Sequence, residues 1–124
     1  MNIVDSSGWF EYFSDSNRAD YFSETIESTE KLIVPAITIF EVFKKLLIET
    51  NEDKALTAIA YMQLGTIADL DQDLSLLSAK ISYENKLPMA DSIIYATALK
   101  YDATLWTQDK DFKKIKGKIK YFPK

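Results

Sequence analysis

The sequence predicts an α/β sandwich built around a mostly parallel sheet, and three observations carry that expectation. Short β-prone stretches alternate with longer stretches of helical periodicity from one end of the chain to the other. A stretch such as Leu32-Ile33-Val34 is apolar throughout, as a strand covered on both faces must be. The 124 residues, 47% of them apolar, are enough to bury one core without disulfides or metal staples, so residues 1–124 are expected to form a single domain.

Taken in order, residues 2–4 read as a first strand that ends at Asp5, with Ser6, Ser7 and Gly8 behind it. Trp9, Phe10, Tyr12 and Phe13 then form an aromatic cluster on a short helix, read as core and not as a platform for bases. After the polar break at 14–17, residues 18–28 make an amphipathic helix with Tyr21, Phe22 and Ile26 inward. The strand at 32–34 is closed by Pro35. Thr38 and Glu41 have the spacing of a capping box and open a helix that continues through Leu46, Leu47 and Ile48. A helix over 52–64 places Leu56, Ile59, Ala60 and Gln63 on one face and stops at Gly65. Residues 66–68 leave room only for a short strand. The helix over 71–86, capped by Asp71 or Asp73, buries Leu74, Leu77, Ala79, Ile81 and Tyr83.

Residues 87–99 are small and apolar around most of a helical circumference, which suits a helix pressed against a sheet. Pro88 sets the start of that helix, and Asp91 falls in its first turn. Residues 103–107 are a strand, 108–112 turn away from its end, and 118–122 form a last edge strand that Pro123 terminates.

Composition removes several chemistries. There is no cysteine and no histidine, so thiolate or imidazole metal sites, cysteine nucleophiles and Ser/His/Asp arrangements are excluded. Hydrolytic chemistry must then run on carboxylates, hydroxyls, lysines and a borrowed ion. No apolar run approaches the roughly 20 residues that span a bilayer, and the first residues lack the layout of a secretory signal. The expected compartment is the cytoplasm, with no membrane contact. Net charge is −4, yet from Lys110 onward seven lysines face one acid, Asp111, a basic lobe on an acidic chain or an edge strand guarded by lysines.

Four acids stand out by position. Asp5 and Asp109 follow strands, while Glu41 and Asp91 lie in first helical turns. Each has a local explanation as a cap, a dipole partner or a turn residue. Jointly they occupy the positions that a parallel α/β topology brings to the carboxyl end of its sheet. Carboxylates about 4 Å apart repel by roughly 4 kcal/mol per pair at an effective dielectric near 20. Such a cluster must keep protons or hold a cation, and an all-oxygen donor set favours Mg²⁺ or Mn²⁺. The ion would provide a more acidic water as nucleophile and compensate charge on a phosphorane-like transition state.

The segments Val4-Asp5-Ser6-Ser7, Ile39-Phe40-Glu41-Val42, Met89-Ala90-Asp91-Ser92-Ile93-Ile94-Tyr95-Ala96 and Leu105-Trp106-Thr107-Gln108-Asp109-Lys110-Asp111-Phe112 follow one another along nearly the whole chain. In that order they resemble the PIN-domain ribonucleases, and among them the short VapC-like toxins of toxin–antitoxin pairs. The resemblance implies a three-layer sandwich with a short central sheet flanked by helices. It also implies an Mg²⁺-dependent endoribonuclease, a homodimer and a small antitoxin covering the cleft, with Trp9, Phe10 and the Tyr21/Phe22 face as contact surfaces.

By the same resemblance Asp5, Glu41, Asp91 and Asp109 are the catalytic and metal-binding acids. Asp5 and Asp91 are then the principal ligands, with Glu41 and Asp109 acting directly or through water. Asp111 competes with Asp109, which is preferred because it lies two residues after Thr107. Ser6, Thr107 and, more weakly, Ser92 resemble hydroxyl residues that orient an acid or a water. Lys44, Lys45, Lys86 and Lys110 are candidates for steering an RNA backbone past the acids.

Two rival readings differ in class. A phosphoacceptor receiver module is also small, acidic and parallel α/β, but it wants an adjacent acidic pair after the first strand, where this chain has Asp5 followed by serines. A PIN fold kept only for protein binding would have no need of the four acids.

Overall fold

The computed structural model describes residues 1–124. Five short strands form the centre: β1 (Asn2–Val4), β2 (Ile33–Pro35), β3 (Thr66–Ala68), β4 (Thr104–Thr107) and β5 (Ile119–Tyr121). The helices are α1 (Ser6–Phe13), α2 (Asp20–Glu27), α3 (Ala36–Glu49), α4 (Glu52–Met62), α5 (Gln72–Asn85) and α6 (Met89–Lys100). β1, β4 and β5 pair as one sheet and β2 with β3 as another, every ladder parallel. A single parallel bridge, Asn2 with Leu32, joins the two, giving the spatial order β3-β2-β1-β4-β5.

Alternating strand residues feed two cores, which makes the arrangement three-layered. Ile3, Ile33 and Leu105 join Leu74, Ile81, Ile94 and Ala96 of α5 and α6. Val4, Leu32 and Val34 face the other way, onto Trp9, Phe22, Ile26, Val42 and Met62 from α1 to α4. Period-two alternation is what sends neighbouring residues of one strand into opposite layers. Gly8 is required for this packing, because a Cβ there would lie 2.5 Å from Val4 Cγ1 and 2.8 Å from Phe22 Cδ1.

Several expectations about faces and caps need correction. The helix after β2 starts at Ala36 with Pro35 as its N-cap, so Thr38 is not a cap; its hydroxyl is buried without a partner, and there is no capping box. On α4 the inward stripe is Ala55, Ala58 and Met62, with Leu56, Ala60 and Gln63 outside. Small residues at this seam let α4 lie close to α3. On α5, capped by Asp71 through the Leu74 amide at 2.8 Å, Leu74, Ser78 and Ile81 are buried, while Ala79 is exposed and Tyr83 is 85% exposed. On α2, Phe22 and Ile26 point inward, but Tyr21 is exposed and stacks on Phe122 with centroids 4.7 Å apart. Trp9 and Phe22, named above as contact surface, are core residues.

Candidate metal and active site

The strand order reverses at β1: the chain moves from β1 to β2 and β3 on one side, then returns to place β4 on the other. The crevice beyond the carboxyl ends of strands at such a reversal is where α/β sheets gather functional groups. Asp5 leaves β1 into this crevice, and Thr107 closes β4 beside it.

Asp5 is 3% exposed and fully engaged. As N-cap of α1 its Oδ1 accepts from the Gly8 amide at 3.1 Å and from Ser7 Oγ at 2.7 Å, and its Oδ2 accepts from Thr107 Oγ1 at 2.5 Å. Burial pushes its carboxyl up to about 6, against the downward pull of these three donors, with the Asp109 charge adding a smaller upward push. Thr107 Oγ1 also accepts from the Asp109 amide at 2.9 Å, so one hydroxyl fixes both the buried acid and the backbone of the next one.

Asp109, Asp111 and Asp91 form the mouth of the crevice. One carboxylate oxygen from each lies within 4.8 Å of the others, and all three side chains are half-buried. Asp91 reaches the mouth because α6 begins immediately after Pro88; Asp109 and Asp111 reach it because the chain turns sharply after β4, where Asp109 Oδ1 accepts from the Asp111 amide at 2.9 Å. Burial, then the charge of Asp109, then a hydrogen bond and charge shared with Asp111, and last the charge of Asp5 raise the Asp91 carboxyl to about 8. Mutual repulsion of this kind is relieved by a proton or by a cation, and three oxygens at this spacing suit a hard divalent ion.

Of the four acids singled out in the sequence, Asp91 and Asp109 meet directly. Asp5 is not in the three-carboxylate group but stands behind it, joined through Thr107 and close enough to bear on Asp91 electrostatically. Glu41 is further removed: its Oε1 accepts from Ser6 Oγ at 2.5 Å, and Ser6 is the neighbour of Asp5. Asp109 and Asp111, the two candidates for the fourth acid, both belong to this three-carboxylate group. Ser92 does not touch an acid; its buried hydroxyl donates to the carbonyls of Pro88, at 2.9 Å, and Leu87. Of the four lysines, Lys110 lines the groove beside the acids, while Lys45 lies over Phe10 at 4.3 Å, Lys44 lies over Phe40, and exposed Lys86 ends α5 in the left-handed conformation.

A clasp behind the site had no sequence signal beyond an isolated arginine. Arg18 Nε donates to Gln108 Oε1 at 2.6 Å, and its Nη2 donates to the carbonyls of Phe122 and Pro123 at 3.1 and 3.3 Å. Gln108 Nε2 in turn donates to Glu11 Oε2 at 2.9 Å. Partners 90 and more residues apart along the chain give no local pattern.

The sequence profile of the PIN domain matches residues 3–118. Among solved structures, a toxin–antitoxin complex from Klebsiella pneumoniae is similar at 24% identity and TM-score 0.78, with 97% of this chain and 96% of that chain covered. A DNA-bound VapBC from Salmonella typhimurium is similar at 16% identity and TM-score 0.80, with 98% of each chain covered. Mycobacterium tuberculosis VapC20, described as a sarcin–ricin loop cleaving toxin, is similar at 16% identity and TM-score 0.76, with 91% of this chain and 93% of that chain covered. No curated protein matches the sequence.

Proposed function

The chain belongs to the PIN-domain family, and from that premise we propose that it is a divalent-metal-dependent endoribonuclease acting as the toxin of a toxin–antitoxin pair. The observation that carries this reading is the convergence of Asp91, Asp109 and Asp111 at the crevice over the buried Asp5. Similarity to a toxin–antitoxin complex and a DNA-bound VapBC supports the choice of partner, and similarity to a toxin described as cleaving the sarcin–ricin loop supports the choice of substrate class.

In this reading Asp91, Asp109 and Asp111 hold an Mg²⁺ or Mn²⁺ ion, with Asp5 contributing from beneath and Glu41 through Ser6 and water. The ion supplies a more acidic water and compensates charge on the attacked phosphodiester. Asp5, with its three donors, keeps the floor of the site rigid. Thr107 locks the β4 end to that floor, so Asp109 and Asp111 face Asp91 at a fixed distance, and such preorganisation is what positioned chemistry requires. The chain works as one unit over residues 1–124, in the cytoplasm, as a homodimer covered by its antitoxin until released. No helix is long and apolar enough to cross a membrane.

Cleavage of total RNA by the purified protein is expected with Mg²⁺ or Mn²⁺ and to stop with EDTA. Asp91→Asn is expected to lower the rate by roughly a thousandfold or more, about 4 kcal/mol of transition-state stabilisation. Equal cleavage by wild type and Asp91→Asn would refute the proposal.

A further inference from the structure

Beside the three carboxylates opens a groove of about 1140 Å³, and its walls differ in charge. Ser7, Asp109 and Asp111 line the end next to the site; Lys110, Lys113, Lys114 and Lys124 line the rest, with Tyr121 among them. These lysines are exposed, and none of them makes an ion pair, whereas Lys45, Lys100 and Lys118 each pair with a carboxylate. Lys124 is near the end of the chain, but the carbonyls just before it, of Phe122 and Pro123, are held by Arg18, and the backbone of Phe122 donates to the Thr107 carbonyl at 2.9 Å. The Lys124 end of the basic wall is thereby fixed against β4, the strand that carries the site.

We propose that this groove is the track along which single-stranded RNA leaves the acid cluster, with Lys113, Lys114 and Lys124 on successive phosphates and Tyr121 available to a base. The inference rests on the nuclease reading and deepens it by giving the substrate a direction. A phosphodiester held at Asp109 and Asp111 has its neighbours in the groove that begins at those residues. Unpaired cations along an anionic chain release counterions on binding, and an aromatic ring adds sequence-tolerant stacking. The lysines of α3 are less free than those of the groove, since Lys45 pairs with Glu49 and lies over Phe10 and Lys44 lies over Phe40.

The test is fluorescence-anisotropy binding of a labelled 12-nucleotide oligouridine to the full chain in EDTA, across a salt series. The Lys113→Ala/Lys114→Ala/Lys124→Ala variant is expected to bind at least about tenfold more weakly at low salt, and its log–log salt slope to fall by about 2, from three phosphate contacts at roughly 0.7 each. The corresponding triple arginine variant is expected to restore the slope. The Lys44→Ala/Lys45→Ala/Lys86→Ala variant is expected to change the affinity by less than about threefold.

An equal or larger loss in that second triple, or an unchanged slope in the first, would overturn the proposal. So would polyglutamate binding the lobe as tightly as the RNA does, which would make it a seat for an acidic polypeptide. Because binding is read without turnover, RNA that binds along the lysines in EDTA and is still not cut when Mg²⁺ or Mn²⁺ is supplied supports the track while refuting the nuclease reading.

Discussion

Asp5 and Asp91 are both acids with carboxyls held far above the ordinary range, yet the two regions that carry them are built on opposite plans. At the β1–α1 junction, Asp5 is sealed from solvent and three donors converge on it, so the cost of burial is partly offset within the protein. At the mouth formed by α6 and the turn after β4, Asp91 is half-buried and its largest influences after burial are other acids. In the first region neutral donors offset part of the burial cost, whereas in the second the partners of Asp91 are themselves acids. A group that hydrogen bonds complete behaves as structure, whereas one that only a cation or proton can complete is a binding site.

Stability against pH should separate the two most strongly. Both carboxyls sit above the value of 3.8 they have without the fold, so each favours the folded state below that pH, and the contribution is lost as pH rises through about 6 for Asp5 and about 8 for Asp91. For Asp5 alone this amounts to roughly 3 kcal/mol. Thermal melts of the metal-free protein should therefore weaken between pH 4 and 8. Added Mn²⁺ should recover the loss between pH 6 and 8, which belongs to Asp91 alone, more fully than the loss below pH 6, which Asp5 and Asp91 share. An equal metal effect at pH 5 and pH 8 would erase the distinction between the regions.

Thr107 joins them, and its replacement gives a smaller effect. Thr107→Val keeps the shape but removes both the donor to Asp5 and the acceptor for the Asp109 amide. Metal affinity and cleavage rate should each fall by about 10- to 100-fold, as expected when a group that orients a ligand is lost, and Thr107→Ser should restore them. Matching losses in the valine and serine variants would mean that packing, not the hydroxyl, is what matters.

How much of this was legible in the sequence differs by region in the same way. The order of strands and helices followed from periodicity, and Pro88 placed Asp91 in the first turn of α6. Reading Glu41 as half of a capping box failed because Pro35 already starts α3, leaving Glu41 to take a hydroxyl from Ser6, 35 residues away. The outward faces of α4 and α5 were misread because large apolar residues such as Leu56 and Tyr83 lie outside while Ala55, Ala58 and Ser78 line the seams; hydrophobicity alone does not tell a close helix contact from an exposed side chain. The pairing of Asp109 with Asp111 depends on the turn after β4, whose hydrogen bond from the Asp111 amide to Asp109 has no sequence signature stronger than Asp-x-Asp.

The most direct measurement is calorimetric titration of Mn²⁺ into wild type and Asp91→Asn at pH 7, in buffers of different ionisation enthalpy. Wild type should bind with release of about one proton per ion, since Asp91 is protonated there until the cation arrives, and Asp91→Asn should bind at least about tenfold more weakly with little proton release. The same affinity and proton count in both proteins would contradict a shared cation pocket at the crevice.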